Sequence, residues 1–200
     1  MHRFRRWLAK LGIILEVREE IVGWASNLLQ RLKAHFRQPQ HRVMWGILML
    51  AAVLRCIYLD MIPFGVEQIA YLRQGLEIVE QHRLPLASQI SPSALAEPPT
   101  VAYLLAIPLS VSRDPRVAAF WIASLNVLAV FGLYALARRY YGLPVAIIAA
   151  TLFAANPWSV VFARQIGPLG LLPPFGVLLL YGLCSSLLEH NPWGWVLTLA

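Results

Sequence analysis

Charge is what this sequence has least of. Only 14% of its 200 residues are Asp, Glu, Lys or Arg, where a soluble domain carries about a quarter. With a hydrophobic fraction of 58% and a mean hydropathy of +0.60, that scarcity excludes an ordinary soluble domain and points to an integral membrane protein. Cysteine is nearly absent too. Two residues, Cys56 and Cys184, cannot build a disulfide framework. Both lie in apolar segments and read as reduced packing residues near opposite faces of a bilayer. The five histidines (His2, His35, His41, His82, His190) are scattered, so no metal cluster is expected. Neither a Gly-rich phosphate loop nor a Ser-His-Asp arrangement is visible. The first thirty residues contain no continuous apolar core and no small-residue cleavage site, so no cleaved signal peptide is expected. There is no internal repeat and no low-complexity tract.

What charge there is has a pattern. The formal net charge is +7, and nine of the 17 Lys and Arg fall in residues 1–42. Basic residues ahead of a first apolar run fit a cytoplasmic flank beside anionic lipid better than a nucleic-acid site. Within 3–37, Phe4, Trp7, Leu8, Leu11, Leu15, Val22, Ala25, Leu29, Leu32 and Phe36 recur every three or four positions. That spacing predicts an amphipathic basic helix lying on the membrane surface. A helix packed on a soluble partner is the plainer alternative.

The apolar stretches predict an all-α polytopic protein. Val43 to Leu59 is the first span, running outward from the basic flank. Its one charge, Arg55, sits one turn from the far end, close enough to snorkel to the interface. Thr100 to Val111 is short and interrupted by Pro108, so it is read as re-entrant or interfacial. Spans follow at about 117–137, 144–163 and 168–188, and an incomplete one starts at 193. Arg138 and Arg139 after the second span fix its inner end. Pro157 is expected to kink the third span, and Pro173-Pro174 to make the fourth irregular. The domain division is therefore a cytoplasmic segment over 1–42 and a membrane domain over 43–200. A span that stops after eight residues suggests the N-terminal part of a longer protein.

The outer region, 60–116, contains juxtamembrane helices at about 65–83 and 98–111. It also holds six of the ten acidic residues: Asp60, Glu67, Glu77, Glu80, Glu97 and Asp114. Glu77, Glu80 and Asp114 read as solvated loop charges. Asp60 and Glu67 stand closest to where the first span emerges, where a carboxylate could do chemistry at headgroup depth.

The order of these elements is similar to the start of a GT-C membrane glycosyltransferase of the protein-mannosyltransferase and aminoarabinose-transferase kind. The likeness covers about 43–188. It is carried by "LRCIYLD", the acidic outer helix, the Pro98-Pro99 pair before a short apolar helix, "LYALARRYYG" and "NPWSVVFARQ". It implies a polyprenyl-phosphate sugar donor, transfer at the outer face of a bacterial plasma membrane, and no cofactor. Glu67 matches the glutamate of the family's outer Asp-Glu pair and is the candidate base in place of the missing aspartate, with Asp60 as the other candidate. Arg164 matches a donor-phosphate contact, with Glu97 and Arg55 as further substrate-binding candidates. Where the family carries Asp-Glu, this chain has Val66-Glu67. Before the proline pair it has Ala96-Glu97 in place of His or His-Lys, and no acid follows Arg164 closely. A non-catalytic scaffold or lipid-binding protein of the same fold is the alternative. A transporter fragment is disfavoured by the lack of ionisable residues inside the later spans.

Overall fold

The computed structural model describes residues 39–57, 59, 65–82, 84–85 and 99–199. The basic helix expected over 3–37, together with Asp60 and Glu97, lies outside these residues. The chain divides into two compact units, Met1–Val43 and Met44–Ala200, and the helical core belongs to the second. The described residues form eight helices and no strand: α1 Pro39–Cys56, α2 Val66–Gln81, α3 Thr100–Leu109, α4 Pro115–Tyr141, α5 Leu143–Ala155, α6 Pro157–Phe162, α7 Pro168–Leu188 and α8 Pro192–Leu199. The protein is all-α.

Two helices are long and apolar enough to cross a membrane, α4 with 27 residues and α7 with 21. At 1.5 Å per residue they extend about 40 and about 32 Å, against about 30 Å of hydrocarbon. The ten-residue α3 reaches only about 15 Å. It packs instead between α2 and the start of α4.

Local chemistry sets the ends. Asp114 caps α4, its carboxylate accepting from the Arg116 N–H at 2.9 Å, and Pro115 takes the first helical position. The far end of α4 carries Arg138 and Arg139, favourable against the negative end of the helix dipole. Gly142, at φ +88°, both ends α4 and begins α5. That positive φ is available to glycine without strain, so two helices meet across one residue. The stretch 144–163 is two helices, because Asn156 adopts an extended conformation (φ −62°, ψ 118°) and Pro157 starts a new helix.

Packing follows membrane logic. On α5, Ala146, Ala150 and Ala154 are fully buried, while Ile148 and Leu152 on other faces are 60% and 68% exposed. On α7, Gly182, Ser185 and Ser186 face inward while Leu172, Phe175, Leu178 and Leu187 face out. Small residues inside and large apolar ones outside reverse the pattern of a water-soluble bundle. Between lipid-facing helices, association comes from close backbone approach. The α7–α8 contact is so close that a Cβ on Gly194 would lie 2.3 Å from Ser186 Oγ and 2.7 Å from the Gly182 carbonyl. Together with the two long apolar helices, this makes the chain a membrane protein.

Two buried clusters organise the core. One joins Tyr71 and Leu72 of α2 to Leu105 of α3, Ile122 of α4, Ile166 and Leu171. The other joins Met44, Ile47 and Ala51 of α1 to Val130 and Tyr134 of α4 and the alanines of α5.

Candidate functional site

An interior cation marks the end of α1. Arg55 is fully buried, at 0% exposure, and does not snorkel as its position in the sequence suggested. The reason lies in α5. A helical carbonyl needs the N–H four residues on. For Phe153 that residue is Pro157, which has none. Ala154 loses its partner because the extended Asn156 ends the helix. Both carbonyls are inside the protein, and buried backbone acceptors need a donor. Arg55 supplies it: Nη2 donates to the Phe153 carbonyl at 3.2 Å and to Ser159 Oγ at 2.9 Å. Its Nη1 donates to the Ala154 carbonyl at 3.0 Å and, more weakly, to Ala51 in its own helix at 3.5 Å. The guanidinium also lies over the Phe153 ring, 5.8 Å from its centroid. Four protein acceptors thus take up the Nη hydrogens of a residue that sequence reasoning grouped with the substrate contacts.

Arg164 makes the return connection. The chain leaves α6 through tight turns, with Arg164 N–H donating to Val161 and Gln165 N–H to Phe162. From there Arg164 Nη2 donates to the carbonyl of Leu54, the residue before Arg55. Its Nε is buried with no acceptor among the described residues. No described carboxylate forms an ion pair with Arg55 or Arg164. Among the described residues there is also no group of three His, Cys, Asp or Glu that could hold a metal. Cys56, next to Arg55 in the chain and within electrostatic reach of Arg164, is half-buried and a free thiol, as is Cys184.

Glu67 lies in the first turn of α2 and is exposed. The unsatisfied N–H groups of that turn favour an anion there. The turn is fixed by Gln68, whose Oε1 accepts from the Gly65 N–H at 2.8 Å. One turn further on, Tyr71 is buried, with its ring 3.6 Å from where a Cβ on Gly167 would stand. Residues 164–167 and the start of α2 are therefore neighbours. The structure brings the Glu67 helix and the Arg164 turn to one place.

The other described carboxylates of residues 60–116 have local work. Glu77 pairs with Arg73 one turn back at 3.2 Å, and Glu80 with Arg113 at 2.9 Å. Asp114 is the α4 cap.

Two residues that matter were missed from sequence. Ser159 is one of Arg55's acceptors. Asn126, fully buried in α4, donates from Nδ2 to the Gly170 carbonyl at 2.7 Å and to Ile122 in its own helix at 2.9 Å. Gly170 is four residues before Pro174, so its carbonyl is another acceptor that a proline has orphaned. Counting back four from each proline identifies these acceptors in the sequence. It does not reveal which side chain will meet them.

The model of a family described as dolichyl-phosphate-mannose-protein mannosyltransferase matches residues 96–200. The match contains Asn126, Ser159 and Arg164, while Arg55, Asp60 and Glu67 precede it. No curated protein and no solved structure matches the chain.

Proposed function

The chain belongs to the dolichyl-phosphate-mannose-protein mannosyltransferase family, a GT-C-like glycosyltransferase family, and from that premise we propose that it transfers a sugar from a polyprenyl-phosphate donor to a hydroxyl acceptor at the outer membrane face. The acceptor oxygen attacks the anomeric carbon, the bond from that carbon to the phosphate oxygen breaks, and the polyprenyl phosphate departs with the bonding pair. The acceptor's proton passes to a carboxylate. Glu67 is that base, with Asp60 the neighbouring candidate. Arg164 contacts the departing phosphate, and Glu97 is a further substrate-binding candidate.

The observation that carries this reading is the family match over 96–200. Two features of the fold support the residue roles. The turn that follows Arg164 lies against Tyr71, on the helix that carries Glu67 in its first turn. Arg164 also keeps a buried N–H without an acceptor among the described residues, which a phosphate oxygen would satisfy. The reading places the protein as a multi-pass chain in a bacterial plasma membrane with residues 1–42 cytoplasmic, bound to anionic lipid and not to nucleic acid. Arg139 and Glu189, both expected inside, form an ion pair at 2.6 Å, which supports placing these two helix ends on the same side.

The test is transfer of labelled mannose from a polyprenyl-phosphate donor by the full-length protein in lipid nanodiscs. Glu67→Gln is expected to lower the rate by about 100-fold or more. Wild-type rate in that variant removes Glu67 from the mechanism. No transfer by the wild-type protein leaves the non-catalytic, lipid-binding reading of the same fold.

A further inference from the structure

We infer that Arg55 is a positioning residue whose job is to hold Arg164 in place, an inference that rests on the proposed role of Arg164 as the donor-phosphate contact. Two chain segments, far apart in sequence, are tied to each other twice in opposite senses. Arg55 reaches from α1 to Phe153, Ala154 and Ser159, on both sides of the α5–α6 break. Arg164 reaches back from the end of the same short helix to Leu54. The six-residue α6 lies between these ties, with Ser159 accepting from the Ala163 N–H at 3.1 Å just before Arg164. An isolated helix of that length has no stability of its own. Its placement therefore depends on what grips it, and Arg55 is the side chain that grips it from α1.

The same geometry argues against a direct substrate role. A guanidinium with four Nη hydrogens on protein oxygens and no exposed surface has no donor to offer a lipid phosphate except Nε. It also needs no carboxylate. It sits at the C-terminal ends of both α1 and α5, where the helix dipoles carry partial negative charge. Both residues keep a buried Nε without an acceptor among the described residues, but Arg164 differs at its Nη atoms, which make a single tie, to Leu54, among the described residues. The pair divides the work: one guanidinium builds the turn and the other is presented by it.

The fork of Arg55 is what a lysine cannot reproduce. An ammonium keeps the charge but offers its donors from one point. In transfer assays on the full-length protein, Arg55→Lys and Arg55→Met should both raise the donor KM and lower kcat, by about 10- to 100-fold in kcat/KM, as for a contact misplaced by about 1 Å. Ser159→Ala, which removes one acceptor and leaves the buried charge, should lose several-fold with little change in melting temperature.

The decisive comparison is the cycle with Arg164→Gln. Because Arg55 acts through Arg164, Arg55→Lys should add little to the KM defect of Arg164→Gln. A full additive defect overturns the inference. So does an Arg55→Lys enzyme with wild-type donor KM beside an Arg55→Met enzyme that loses it, since that pattern marks a charge contact to substrate. A donor-free measurement separates this inference from the proposed reaction. Amide hydrogen exchange over 158–165 should quicken in Arg55→Lys, and unchanged exchange there overturns the positioning role whatever the transfer assay gives. Absence of transfer by the wild type counts against the reaction alone, and the exchange result then decides the inference.

Discussion

Prolines interrupt the backbone hydrogen bonding at Pro157 and again at Pro173-Pro174, and the protein repairs the two sites differently. At Pro157 the helix stops: Asn156 turns extended, α5 ends, and two carbonyls are left inside. At Pro173-Pro174 the helix continues and α7 runs through both residues. The first defect is met by a cation with five N–H donors, the second by a neutral amide with two. The choice matches the local field. Arg55 stands at two helix C-termini, where positive charge is favourable. Asn126 meets Gly170 in the first turn of α7, where a cation would oppose the helix dipole. The size of the backbone defect and the sign of the dipole beside it thus determine which polar side chain belongs inside the membrane domain.

If that comparison is right, removing Arg55 is the largest single loss. Arg55→Met leaves two carbonyls and the Ser159 hydroxyl without their donor. At about 1–3 kcal/mol per orphan in water-soluble proteins and nearer 0.6 for polar contacts between membrane helices, a loss of about 2–4 kcal/mol is expected. Thermal unfolding in detergent measures it. Pro157→Ala returns an N–H to the segment, so the Arg55→Met penalty should shrink in that background. Strict additivity of the two would show that Arg55 is not there to serve the break.

Asn126→Leu should cost less, about 1 kcal/mol. It strips the Gly170 carbonyl of its donor, but it also removes Asn126 Oδ1, which is itself buried without a partner among the described residues. The two terms offset. Pro174→Ala should make the substitution close to neutral, because the new N–H can reach Gly170 along the helix. Equal penalties for Arg55→Met and Asn126→Leu would erase the distinction drawn between the two breaks.

How much of this could be read from the sequence divides along the same line. The helical class, the short apolar run at 100–111 and the break at Pro157 follow from local rules on length and on proline. The irregularity expected at Pro173-Pro174 does not appear, because the helix runs through both residues. The resemblance that led to the family also came from element order. The partners did not. Arg55 is 98 to 104 residues from its acceptors beyond α1, and Asn126 is 44 from Gly170. An arginine one turn from the end of a span has two good solutions, the interface or a buried acceptor, and only the packing of α5 beside α1 selects the second. Asn126 was overlooked because a scan for charges passes over an amide. Of the candidate site residues, Glu67 and Arg164 lie on two segments that touch where Tyr71 rests on Gly167, a contact between a helix and a turn that no spacing rule anticipates.

The smallest effect belongs to the opposite end of the two long helices, and it sharpens the contrast between buried and exposed polar contacts. Glu189, after α7, accepts from Arg139 at 2.6 Å and from the Tyr140 hydroxyl at 3.0 Å, while Arg139 Nη1 also reaches the Tyr181 hydroxyl at 3.4 Å. The distances are as short as any at the buried breaks. The Arg139 side chain, however, is 50% exposed, so water already solvates its charge and salt screens the pair. Glu189→Gln keeps an acceptor for Tyr140 and removes only the charge. It should lower the melting temperature slightly at low salt and not at all at high salt. A salt-insensitive loss as large as that of Asn126→Leu would mean that this end is dry, and that the contact of α4 with α7 closes over the pair more fully than its exposure indicates.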